Sequence, residues 1–206
     1  MAITSAANLG ATDPGSFLAQ TTSVFNILSG TNGIINGSLT SAVYQNQSGF
    51  MDFYYQITNS TASTNQNLSI SGLTGFNFGA FATSVGYYSN ASVFGGLFAS
   101  PTAGVVPKSA DRTADGNEVT LWFGPPWGNK VFPGQTSSIL QISTNATTWG
   151  PGFATVQNHG VATVNSFQPG PVAAIPEPEI YAMMGIGLGL LGWVGRKKRS
   201  KEAAAG

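Results

Sequence analysis

The chain has 206 residues and no net charge, with eight Lys or Arg against eight Asp or Glu. Charged residues are 8% of the chain, against roughly 25% in ordinary domains, which excludes a nucleic-acid binder with a phosphate-neutralising face and a cytosolic enzyme kept soluble by mixed surface charge. A hydrophobic share of 42% excludes a disordered chain, and the lack of cysteine excludes disulfides, thiolate metal sites and a cysteine nucleophile.

Ser, Thr, Asn and Gln fill 65 positions, so the body is polar without being ionic. In chain order, short strand candidates fall at 23–28 and 38–46. The segment 51–58 is clearer: Phe53, Tyr55 and Ile57 alternate with Asp52, Tyr54 and Gln56, the pattern of a half-buried strand. Asn59 to Asn67 reads as a polar loop, followed by candidates at 67–73 and 82–89. Residues 91–117 hold Val93-Phe-Gly-Gly-Leu-Phe98 and little else that is diagnostic; they read as one more strand or a long loop.

Val119, Leu121 and Phe123 then alternate with Glu118, Thr120 and Trp122. Phe132-Pro133-Gly134-Gln135 predicts a type II turn. Strand candidates at 137–144, 152–158 and 161–167 follow, the last two joined by the hairpin signal Asn158-His159-Gly160. No run of ten residues before the tail carries a helical stripe. The expected fold is all-β, an antiparallel β-sandwich of eight to nine strands over residues 1–168, with a single C-terminal transmembrane helix.

Candidate chemistry in the body is sparse. His159 sits in a turn with no Gly-x-Ser-x-Gly elsewhere, so no catalytic residue is assigned. Asp111, Asp115, Asn117 and Glu118 could supply oxygen ligands to Ca²⁺, but their spacing is irregular and Asp115-Gly116 equally suits a hairpin. Trp122, Trp127 and Trp149 could offer ring faces to a sugar or pack over an open sandwich end. Asn36, Asn46, Asn59, Asn67, Asn90 and Asn145 each begin an Asn-x-Ser/Thr triplet. No cofactor is expected, and the body reads as non-enzymatic.

The tail is a different object. Residues 1–175 carry three cations against five acids, and 176–206 carry five against three. A Pro-rich linker, 169–179, leads into an uncharged stretch, Ile180 to Gly195, and then Arg196-Lys197-Lys198-Arg199 within a basic tail, 196–206. As a helix, sixteen residues span about 24 Å, short of the roughly 30 Å hydrocarbon core but within reach of a thinned bilayer with snorkelling cations. Five glycines between 185 and 195 disfavour a soluble core helix. The basic cluster acts as a stop-transfer signal, placing the C-terminus in the cytoplasm and the body outside. A core helix and a nuclear-localisation-like patch are the alternatives.

Ile175-Pro176-Glu177-Pro178-Glu179, then Ile-Tyr-Ala-Met-Met and a Gly- and Leu-rich run, then Arg-Lys-Lys-Arg, resembles the PEP-CTERM sorting signal of exported proteins in exopolysaccharide-producing Gram-negative bacteria. The resemblance covers residues 175–199, with Ile175 where Val is commoner. It implies that Pro176, Glu177 and Pro178 form the sorting signal read by exosortase, a membrane-embedded cysteine protease or transpeptidase. The protein is then expected in the inner membrane transiently, anchored through residues 180–195, and afterwards at the cell surface or in the extracellular matrix, with exopolysaccharide or biofilm as its setting. A surface carbohydrate-binding module is the alternative role. The first thirty residues contain no Lys or Arg and no long apolar run, so the export signal is expected upstream of Met1 or already removed.

Overall fold

The structure, a computed structural model, describes residues 2–3, 6–29, 32–124, 130–158 and 160–170. Residues Met1–Gly170 form one compact unit. Its strands are β1 (Ala2–Ile3), β2 (Ala7–Asn8), β3 (Ser16–Leu28), β4 (Ile34–Gln45), β5 (Met51–Asn59), β6 (Gly72–Gly75), β7 (Thr83–Tyr88), β8 (Ser109–Arg112), β9 (Val119–Trp122), β10 (Ile139–Thr144), β11 (Trp149–Gln157) and β12 (Val161–Pro169). They make two sheets of six. The first runs β1-β8-β9-β6-β11-β12 and the second β2-β7-β10-β5-β4-β3. Every pairing is antiparallel except β2 beside β7.

The all-β expectation holds, and the strand count rises from eight or nine to twelve among the described residues. Two of the additions, β1 and β2, have two residues each and leave no periodicity to read. The third, β8, lies in the stretch 91–117, where Ser-Ala-Asp-Arg has one apolar position. The β3 strand begins at Ser16, not 23, because a bulge between Phe17 and Ala19 breaks the alternation. The 67–73 candidate is displaced to 72–75, and Ile70 instead makes an isolated bridge to Val131. Both turn expectations are met. Gln135 N donates to Phe132 O with Gly134 at φ 81°, and residues 158–160 join β11 to β12.

Alternation sends one face of each sheet into a shared core. Phe53, Tyr55, Ile57, Leu39 and Ile142 from the second sheet meet Leu73, Val119, Leu121, Ala154 and Val156 from the first. The free edges of β3 and β12 close one side, where Ser23 Oγ donates to Asn165 O (3.0 Å) and Ser166 Oγ to Ser41 Oγ (3.0 Å).

The strand expected to be half-buried is buried on both faces. All of Met51 to Ile57 is inaccessible because a 3₁₀ turn, Ser92–Phe94, and the residues after it cover the outer face of the second sheet. Phe94 meets Tyr44, Tyr54, Tyr88 and Phe98 edge-on, at centroid distances of 5.7, 5.2, 5.0 and 5.0 Å. Gln56 imitates a strand backbone to hold this cover. Its Nε2 donates to Ala99 O (2.8 Å) and its Oε1 accepts from Ala99 N (2.9 Å).

Among the described residues no helix is long and apolar enough to cross a membrane. The expected membrane helix, 180–195, lies outside them.

Candidate functional site

Sorting residues Pro176, Glu177 and Pro178 and stop-transfer residues Arg196, Lys197, Lys198 and Arg199 lie outside the described residues, as do His159 and Trp127. In the body, the outward side of the first sheet holds most of the remaining candidates.

Trp122 ends β9 with Ser109 of β8 on one side and Gly72 of β6 on the other. Its indole N–H donates to Asp111 Oδ2 on β8 (2.9 Å). Its benzene edge lies over β6, where a Cβ on Gly72 would come within 2.8 Å of Cε3. An indole tied to β8 at one edge and resting above β6 at the other lies across the sheet. Gly72 is the residue type that lets it lie down.

Beside this ring, register builds a line that no single segment displays. Thr120, Thr74, Thr155 and Thr163 are successive cross-strand partners on β9, β6, β11 and β12. At about 4.8 Å between strands, the rank is about 14 Å long. Thr74 and Thr120 share a hydrogen bond of 2.8 Å and Thr155 and Thr163 one of 3.2 Å, while Gln157 Nε2 donates to Thr74 Oγ1 (2.9 Å). Thr74 is buried, so the capacity for a ligand lies with the accessible Thr120, Thr155 and Thr163, each hydroxyl having one donor and two acceptor sites. The available sequence signal was a single outward Thr in each of β11 and β12. Its alignment with β6 and β9 depends on non-local pairing.

Trp149 does not join Trp122. The level of Trp122 on β11 is Gln157, and Trp149 lies eight residues away, about 26 Å along a strand. It is half-buried and set edge-on to Phe167 (5.2 Å, 90°), against the core.

Two of the Ca²⁺ candidates, Asp111 and Asp115, make bonds within the local structure. Asp111 accepts from Trp122, while Asp115 Oδ1 accepts from Thr113 Oγ1 (2.6 Å) and Asn117 N (3.0 Å) to shape the β8–β9 turn. These donors hold the Asp115 carboxyl below its ordinary pKa. Among the described residues no three His, Cys, Asp or Glu side chains gather as metal ligands.

The Asn-x-Ser/Thr triplets separate by environment. Asn59 is fully buried, and its Nδ2 donates to Leu68 O and Val131 O (both 2.9 Å). Asn36 and Asn46 spend their Nδ2 groups on Ala62 O and Asp52 Oδ1. Asn67, Asn90 and Asn145 are exposed.

Asp52 is the unexpected titratable group. It points outward on β5 yet is 4% exposed, accepting from Ser143 Oγ (2.6 Å), Gln141 Nε2 (3.0 Å) and Asn46 Nδ2 (3.3 Å). These donors are neutral, and burial pushes its carboxyl above the ordinary range.

The tail carries the strongest functional signal. A sequence profile of the PEP-CTERM protein-sorting motif matches residues 174–199. The chain carries a PEP-CTERM sorting motif. The match encloses Pro176, Glu177 and Pro178, the apolar run and the basic cluster. A PEP-CTERM motif implies an exported protein, processed by exosortase and sorted to the cell surface. No curated protein and no solved structure matches the chain.

Proposed function

We propose that this is a non-enzymatic surface or extracellular-matrix protein, whose β body is delivered outside the cell and released from a transient membrane anchor by exosortase. The carrying observation is the PEP-CTERM motif at 174–199. Residues 180–195 hold the chain in the inner membrane, Arg196 to Arg199 stop transfer, and Pro176-Glu177-Pro178 marks the processing region. The non-enzymatic role is supported by the scarcity of catalytic side chains, with one His, no Cys and five acids before the tail. A neutral hydroxyl- and amide-rich body suits a setting of exopolysaccharide or biofilm. In an exosortase-containing host, replacing Pro176, Glu177 and Pro178 with Ala is expected to leave the protein in the inner-membrane fraction. Release of this variant at the wild-type level would contradict the proposal.

A second reading, carbohydrate binding by the body, is favoured by the Trp122 indole laid across the first sheet. Of the two candidate tryptophans among the described residues, Trp122 is the one whose surroundings support an open ring face, since Trp149 packs against Phe167 and the core.

A further inference from the structure

We infer that the outward face of the first sheet, around Trp122 and the threonine rank, is a docking surface for a neutral, unbranched polysaccharide. This rests on the carbohydrate-binding reading and names its surface and ligand class.

Three features carry it. Trp122 is held before any ligand arrives, with its N–H edge fixed by Asp111 and its benzene edge resting over Gly72. An indole fixed parallel to a sheet offers a flat apolar face at little entropic cost, which suits the C–H face of a pyranose ring. Next to it, Thr120, Thr155 and Thr163 present accessible hydroxyls along one line, in which the buried Thr74 bridges Thr120 and Gln157. A linear polymer with repeated hydroxyls can exchange hydrogen bonds along such a line.

Charge selects among polymers. Beside the ring and the rank the charged side chains are acids, Asp111, whose Oδ2 is engaged by the indole, and Glu118, two residues from Thr120. An acidic polymer finds no counter-charge on these residues and would lose hydration without compensation. A neutral polysaccharide meets hydroxyls with hydroxyls and leaves no charge buried.

The test is affinity electrophoresis of the full chain in gels containing hydroxyethyl cellulose, linear mixed-linkage β-glucan or polygalacturonate. Retardation is expected in at least one neutral gel and not in the acidic one. Trp122→Ala should weaken that binding about tenfold, from the loss of the stacked ring. A Thr155→Val, Thr163→Val double variant keeps side-chain shape and removes two hydroxyls of the rank. It should weaken binding severalfold with an unchanged unfolding midpoint, which separates lost contacts from lost folding. If the wild type binds a neutral polymer and the folded double variant and Trp122→Ala bind equally well, this face is wrong while carbohydrate binding stands. Retardation in none of the gels overturns both, and equal retardation in polygalacturonate overturns the ligand class.

Discussion

Single residues in this body do work that their type does not announce. Asn59 begins a glycosylation-like triplet, yet its amide ties Leu68 O and Val131 O into the core and its Oδ1 accepts from Ser63 Oγ (2.7 Å). Replacing it with Ala takes the side-chain donor from Leu68 O and the acceptor from Ser63 Oγ, while Val131 O keeps Ile70 N, at about 1–3 kcal/mol for a buried group left unsatisfied. Urea denaturation of Asn59→Ala should therefore show a loss of about 2–3 kcal/mol, and wild-type stability would contradict the packing described. Asp52 gives a pH signature. Its folded-state pKa is raised, so its protonated form favours the fold. The contribution is complete below the ordinary carboxylate pKa and is lost as pH rises through the raised value. Stability measured from pH 4 to pH 8 should fall more steeply in the wild type than in Asp52→Asn. Parallel profiles would show that Asp52 titrates as it does unfolded.

At the level of elements, legibility followed locality. The β5, β9 and β10 strands could be read because their apolar and polar positions alternate within one segment. The first half of β3 could not, since its bulge at Phe17 shifts the alternation and its remaining residues are mostly hydroxyl or amide. The cover over the second sheet was hidden for a different reason. Phe94 and Phe98 are two rings in a Gly-rich stretch, and their burial depends on Tyr44, Tyr54 and Tyr88 from three strands. Removing Phe94 opens a cavity among these rings, and Phe94→Ala should cost about 3–5 kcal/mol in a denaturant titration. Gln56→Leu removes both hydrogen bonds to Ala99, so amide exchange there should accelerate. Unchanged exchange would place the hold on this segment in the aromatic contacts alone.

For the whole molecule, the low charge and the tail belong to one account. A body with eight charged residues before position 176 keeps its surface neutral through hydroxyls and amides, while the other eight charges lie in the last 31 residues with the sorting motif. The motif was legible because its order of Pro-Glu-Pro, apolar run and basic cluster is contiguous in the chain. The threonine rank was not, because register across four strands creates it. The central claim is that exosortase removes the anchor and releases the body. The most direct measurement is mass spectrometry of the mature C-terminus, purified from an exosortase-containing host. The account predicts a chain ending upstream of the apolar run, without Arg196, Lys197, Lys198 and Arg199. A mature protein that retains this basic cluster would contradict it.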